Sequence, residues 1–515
     1  MDELQQRKNR RGAGGRAARH QVRNQPKPSF NPAAPGQRGG QYKPLSDDAC
    51  QRLIDEAFRI LAEIGLSEVP PILADQAISQ GAHWDSRGRL CFPRELVQSQ
   101  LDGAAKFVTY YGRDAQHDVT LGGDRVFFGT GGAAVQTLDM GTESYRPSTL
   151  RDLYDFTRLI DTLDNVSYFT RCCVATDLPD NFDLDTNTVY ALLQGTKKPV
   201  GTSFTVVEHV DPIVDMLELV AKDEGFDWRD RPFVYAHISP VISPLRFGDD
   251  AVQVALKCIE RGVPMNNIIA AQSGATAPAT PAGFLAMSTA ETIASLMMVN
   301  LFEPGFPMVF SNWPLVIDLR TGAFAGGGGE VALMNAAAAQ ISNALGLPSG
   351  VASSMSDSKA VDSQMGMEKG ITALAAGLAG ANSVYESSGM MASLLGASFE
   401  AFVADNEMLG HVHRVLRGIE ISEETLGFDT IIEAVTGEGH FLGTDQTMAS
   451  MERDYYYPPM SDREQPNTWE EQGKLTHEQR CKAKAQQVLS DHEPRYLSAE
   501  MAAAFKERFN IQLDI

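Results

Sequence analysis

A (β/α)8 barrel with mainly helical extensions at both ends is the fold class this sequence predicts, on three observations. Short apolar runs alternate with helical patterns eight times between Val126 and Val384, polar residues capable of chemistry follow the runs, and 515 residues exceed what a bare barrel needs. Strands alternating with helices at this spacing form a parallel sheet, and eight such units close on themselves. In a closed barrel the C-terminal strand ends converge on one mouth, where side chains leave the packed interior. The residues just after each run are therefore the candidates for function.

Four regions follow from composition. Residues 1–45 form a basic tail, rich in Arg, Gly, Gln, Asn and Pro and carrying Arg7-Lys8-Asn9-Arg10-Arg11. It has too little apolar surface to offset the entropy of ordering, so it is expected to be disordered, or else to serve as a basic arm for an acidic neighbour. Residues 46–120 are a helical and extended cap, opening with Ser46 as N-cap of a helix over 47–64. Extended pieces near Arg89-Leu90-Cys91-Phe92 and Phe107-Val108-Thr109-Tyr110-Tyr111 are expected to cover one barrel end. Residues 121–395 are the barrel and 396–515 a C-terminal helical extension, with helices over 399–417, 425–435, 476–489 and 499–509.

Within the barrel, Val126-Phe127-Phe128 leads into Gly129-Thr130-Gly131-Gly132, and Tyr168-Phe169-Thr170 into Arg171-Cys172-Cys173. Pro199-Val200-Gly201 leads to Thr202-Ser203, Phe233-Val234-Tyr235 to His237, and Asn267-Ile268-Ile269 to Gln272-Ser273-Gly274. The last three runs are Met308-Val309-Phe310 before Ser311-Asn312-Trp313, Ser349-Gly350-Val351 before Met355-Ser356-Asp357, and Ser383-Val384-Tyr385 before Glu386. Helical periodicity covers 155–163, 213–221, 251–261, 282–299 and 331–345 between them.

A formal charge of −22 argues against a nucleic-acid-binding body, which needs clustered Lys and Arg. Six scattered cysteines without a C-x-x-C pair fit a reducing, cytoplasmic setting. No run is read as a membrane span of roughly 18 residues. No metal-ligand cluster, G-x-S-x-G elbow or H-E-x-x-H is present, so neither a bound metal nor an activated nucleophile is expected. Gly129-Thr130-Gly131-Gly132-Ala133 lacks the full G-x-G-x-x-G spacing, which leaves a turn or a close backbone approach to a small anion. Gly326 to Gly329 precede a strong helix, so they are a carboxylate or phosphate cradle, or a lid hinge. His411 and His413 are spaced poorly for chelation and are expected at a surface or interface.

The expected mouth instead gathers Phe128, Phe204, Trp313 and Tyr385 with Met355, Met390, Asp357 and Glu386. Aromatic faces with a buried acid suit a desolvated organic cation.

The segment 347–369, with Met355-Ser356-Asp357-Ser358-Lys359 at its centre, resembles a signature of the trimethylamine:corrinoid methyltransferase superfamily. So do Gly129-Thr130-Gly131-Gly132-Ala133-Ala134, Ser273-Gly274-Ala275-Thr276-Ala277-Pro278, Gly326 to Gly329 and Gly439-His440-Phe441-Leu442, over a resemblance running from Ser46 onward. The resemblance implies methyl transfer from an amine to the cobalt of a separate corrinoid protein, with no tightly bound cofactor on this chain. Pyrrolysine stands in the trimethylamine enzymes where this chain has Met355, which implies the non-pyrrolysine branch and a quaternary amine, glycine betaine first. It also implies a homo-oligomer. On this reading Phe128, Trp313 and Tyr385 flank the cationic head, Met355 shapes the pocket, and Glu386 supplies counter-charge. His237, Gln272 and backbone amides near Gly131 hold a carboxylate, and a loop with His440 and Phe441 closes over the site. Alternatives are a non-catalytic betaine-binding or corrinoid-docking homologue, and a barrel lyase or isomerase using Gly326 to Gly329 for a phosphorylated substrate.

Overall fold

The computed structural model describes residues 31–515, so the basic cluster at 7–11 and most of the predicted tail lie outside the described residues. Two compact units are present, a larger one of Pro35–Leu409 with Met460–Ile515 and a smaller one that takes in Gly410–Pro459.

The larger unit holds the barrel. Its strands are β1 (Arg125–Phe128), β2 (Phe169–Thr170), β3 (Val200–Thr202), β4 (Val234–Ile238), β5 (Met265–Ile269), β6 (Met308–Asn312), β7 (Ser349–Ala352) and β8 (Ser383–Tyr385). Each pairs in parallel with the next from β2 to β8, and β8 returns to β1 through Ser383↔Phe127 and Val384↔Phe128. Between β1 and β2 the circle is closed by the parallel bridge Gly129↔Tyr168, beside which Ser167 N–H donates to Phe128 O at 2.8 Å. The eight expected strands thus form one closed (β/α)8 barrel.

Helices α1 (Leu150–Asp161), α2 (Asn181–Gly195), α3 (Val210–Asp223), α4 (Asp249–Arg261), α5 (Pro281–Phe302), α6 (Gly329–Ala344), α7 (Ser363–Ala379) and α8 (Phe399–Arg417) follow the strands in turn. Helix α1 starts before the predicted residue 155 because Thr149 and Asp152 form a capping box that satisfies the first free N–H groups. Helix α2 escaped the periodicity reading because its residues from Asp185 to Gly195 are all buried, so it shows no polar face. Helix α5 is long and apolar enough to cross a membrane, yet 89% of that stretch is buried in the fold. The helices Asp47–Glu63, Pro71–Ser79 and Arg94–Gly103 pack on it and make it a core helix. Ser46 caps the first of these by accepting from Ala49 N–H at 3.1 Å.

Large and small residues alternate inside the barrel. A Cβ on Gly129 would lie 2.1 Å from the Tyr168 ring, one on Gly201 2.5 Å from the Tyr235 ring, and one on Gly350 2.0 Å from Ser311 Oγ and 3.3 Å from the Tyr385 ring. Each interior tyrosine therefore fills space that a neighbouring strand's glycine leaves open. A fourth, Tyr110, arrives from the hairpin of Val108–Tyr110 and Val119–Leu121, whose end leads directly into the start of β1. Its ring stacks on Tyr235 at 3.8 Å, and its hydroxyl meets that of Tyr385 at 2.5 Å. The N-terminal barrel end is plugged by this side chain.

Composition placed the ordered boundary too late. Gln37 and Arg38, inside the predicted 1–45 tail, pair antiparallel with Val126 and Arg125 of β1. Main-chain bonding needs no apolar side chains, which is why a composition reading passed over it.

In the smaller unit, Glu423–Leu426 and Phe428–Thr436 are two helices where one was expected over 425–435. Gly427 separates them with a left-handed φ of 65°. His411 is exposed and sets its ring edge-on to Tyr456 at 5.0 Å, whereas His413, expected at a surface or interface, is fully buried.

Candidate functional site

The strand ends of β4, β5, β6 and β8 bring three rings together. Tyr385 lies 5.0 Å from His237 and 5.4 Å from Trp313, and His237 lies 6.0 Å from Trp313, centroid to centroid. A polar relay fixes the imidazole. Ser311 Oγ donates to Asn266 Oδ1, which turns Asn266 Nδ2 toward His237 Nε2 at 2.9 Å. Nε2 is then the acceptor and the proton sits on Nδ1. Burial, with the charge of Arg171 as second cause, pushes the His237 pKa down to about 3, so the ring is neutral at physiological pH.

Glu386 directly follows Tyr385. Its carboxyl is 1% exposed, and Oε2 finds no hydrogen-bond partner among the described residues. Burial pushes its pKa up to about 8, with Lys369 the charge that opposes the rise. Below that pH the protonated, neutral form predominates. A Cβ on Gly131 would lie 3.3 Å from Glu386 Oε1, and one on Gly132 2.7 Å from Oε2 and 2.2 Å from Met390 Cε. The loop after β1 must be glycine to pass the acid so closely. Both Glu386 and Ser354, at the ends of β8 and β7, have left-handed φ values of 63° and 68°. Non-glycine residues in that region are strained and cluster where function holds them.

A buried ion pair holds these two loops. Lys369 Nζ donates to Asp405 Oδ2 at 2.8 Å and to Ser354 O at 3.0 Å, and Gly389 N–H donates to the same Asp405 oxygen at 2.7 Å. Both side chains are almost without exposure, so the pair ties β7, β8 and α8 into one rigid rim.

The rim is uneven. Gln272–Ser273, Leu315–Ile317 and Phe324–Ala325 form a small sheet beyond β5 and β6, and Met390–Met391, Gly396–Ser398, Gln136–Leu138 and Tyr145–Pro147 another beyond β8 and β1. Trp313, Met355, Tyr385, Glu386 and Met390 are buried beneath this side. Arg171 after β2, His237 near the end of β4 and Gln272 after β5 remain partly exposed.

Phe128 does not join the ring cluster. Gly129 faces the interior against Tyr168, so strand alternation turns Phe128 outward toward the helix layer. Met355 is fully buried, and its Cβ lies 3.0 Å from where a Cβ on Gly326 would stand, so it supports the glycine-rich turn. Asp357 is no free acid. Oδ1 accepts from Gly326 N–H at 2.8 Å and from Ser393 Oγ at 2.8 Å, and Oδ2 faces Gly327 N–H at 3.4 Å. The expected anion cradle of Gly326 to Gly329 therefore already engages a carboxylate of its own chain, which weakens the phosphate reading. His440 and Phe441 belong to the smaller unit, where His440 Nε2 stands 3.5 Å from Glu438 Oε2 on an exposed loop.

Arg171 was a candidate by position after its run but received no assigned role. Its position one residue past β2 carried the same signal as His237, but an arginine after an apolar run reads equally well as a surface charge.

The chain is 29% identical over 472 residues to a glycine betaine methyltransferase of Desulfitobacterium hafniense, covering 91% of this chain and 96% of that one. It is 30% identical over 469 residues to the trimethylamine methyltransferase MttB of Methanosarcina barkeri, covering 90% and 94%. Among solved structures, the monomethylamine methyltransferase of Methanosarcina barkeri aligns over 91% of this chain and 99% of its own, with a TM-score of 0.46 and 13% identity. Residues 11–510 match the trimethylamine methyltransferase (MTTB) family as a whole, and the chain belongs to that family of methyltransferases.

Proposed function

We propose that this protein transfers a methyl group from a quaternary amine, glycine betaine first, to the cobalt of a separate corrinoid protein. The observation that carries the reading is Glu386, a buried acid without a hydrogen-bond partner among the described residues, which directly follows Tyr385 of the ring cluster with Trp313 and His237. Such a site suits a desolvated cation, whose charge the acid balances and whose methyl groups the ring faces receive. The name of the Desulfitobacterium relative supports the choice of substrate.

In the reaction the acceptor, a cobalt(I) centre carried by the partner, supplies the electron pair that takes the methyl carbon. The C–N bond breaks in line, its electrons stay on nitrogen, and a neutral tertiary amine leaves. No proton is consumed, so no general acid is needed for departure. The chain's own groups position the head and exclude water. A carboxylate at Glu386 stabilises the bound cation but loses its partner as nitrogen becomes neutral, so it takes a proton back and the product is held less tightly. Met355 offers no electrophile, which favours a substrate whose nitrogen is already a leaving group.

Purified protein mixed with reduced corrinoid protein and glycine betaine is expected to produce methylcobalamin absorbance and dimethylglycine in equal amounts. Transfer from trimethylamine with glycine betaine silent would reverse the substrate assignment.

A further inference from the structure

The Arg171 guanidinium is the polar group at the mouth that this mechanism leaves unused. It has no hydrogen-bond acceptor or ion-pair partner among the described residues. Asp185 acts on it only at longer range, because the Asp185 carboxylate is taken by Thr205 N–H at 2.7 Å, Thr205 Oγ1 at 2.9 Å and His209 Nδ1 at 2.7 Å. Burial, the leading influence, lowers its pKa from the ordinary arginine value without removing its charge. A half-buried guanidinium whose five donors meet no acceptor of the chain leaves them open to an anion.

Its placement says which anion. Arg171 stands on the half-exposed side of the mouth with His237 and Gln272, and its charge reaches the imidazole. Lys369, not Arg171, is the charge felt at Glu386. Arg171 follows β2 and Glu386 follows β8, and no ion pair joins them among the described residues. The Gln272 side chain likewise has no hydrogen-bond partner among the described residues, while its backbone N–H is held by Thr276 Oγ1 at 2.9 Å. A ligand matching both ends carries a fixed cation toward Glu386 and a carboxylate toward Arg171.

Resting on the reading of the site as a quaternary-amine site, we propose that Arg171 anchors the carboxylate of a zwitterionic methyl donor and makes the enzyme selective for betaines over carboxylate-free quaternary amines. The planar fork of arginine suits two parallel bonds to a carboxylate, which lysine reproduces only as a point charge. Sequence placed the carboxylate on His237, Gln272 and the Gly131 amides. The structure moves its principal partner to β2, with neutral His237 and Gln272 beside it.

The test measures binding of glycine betaine, choline and tetramethylammonium by calorimetry to the full chain and to R171Q and R171K. In the unaltered protein glycine betaine is expected to bind about tenfold or more tighter than the other two, as a charge-assisted pair provides. That ratio should collapse in R171Q and recover in part in R171K. An unchanged ratio in R171Q overturns the anchor while leaving the quaternary-amine reading intact. If the unaltered protein binds none of the three, that reading falls and the anchor with it. Because the ligand comparison in the unaltered protein needs no variant, equal affinity for glycine betaine and choline there overturns the anchor even if R171Q fails to fold.

Discussion

Glu386 shows how a single position acquires chemistry that its residue type does not announce. Sequence placed an acid after β8 and expected a counter-charge. Only burial makes it neutral when the site is empty, with a pKa pushed up to about 8. A bound cation favours the ionised form, so binding below that pH releases a proton. Affinity for a quaternary amine should therefore rise with pH, by up to about tenfold per unit, and level off once the acid is already ionised above about 8. Calorimetry in two buffers of different ionisation heat measures the released proton. E386Q is expected to abolish both the release and the pH dependence, and a pH-independent affinity in the unaltered protein would rule out this role. His237 and Arg171 teach the same lesson. Their positions were readable from the run-then-polar pattern, but neutrality in one and an idle guanidinium in the other arise from what surrounds them.

At the level of elements, strand and helix identity was legible because each barrel unit repeats the same apolar-then-amphipathic pattern. What escaped was the direction of individual side chains. Phe128 and Phe127 are adjacent and chemically identical, and one residue of register decides which faces the interior. The glycines of β3 and β7 and the one following β1 settle that register, since each faces a tyrosine ring across a strand boundary. G129A and G350A are accordingly expected to lower stability by about 1–3 kcal/mol through overpacking, with the larger effect where the ring lies closer. Urea denaturation measures it, and a midpoint unchanged in both variants would show that the interior yields. The turn of Gly326 to Gly329 was open between an anion cradle and a hinge. Asp357 occupies its amides, a pairing of loops after β6 and β7 that no local pattern could report.

For the whole molecule, the barrel is a circle with one thin seam. Five residue pairs join β5 to β6, whereas β1 and β2 meet through the single bridge Gly129↔Tyr168 and its neighbouring bonds. Amide hydrogen exchange is expected to be faster at Ser167 and Thr130 than along β5 and β6, because fewer cooperative bonds must open there. Equal protection around the circle would contradict this. By itself the sequence determined the number and order of the strands, the barrel class, the family signature and the loops that border the mouth, since these depend on local periodicity and short motifs. Tertiary structure alone decided that Gln37 and Arg38 join β1, that Tyr110 reaches Tyr385 from the far end, that Phe128 turns away, and that Glu386 is buried without a hydrogen-bond partner among the described residues. Those facts depend on residues distant in sequence meeting in space, and on the withdrawal of water that follows when they do.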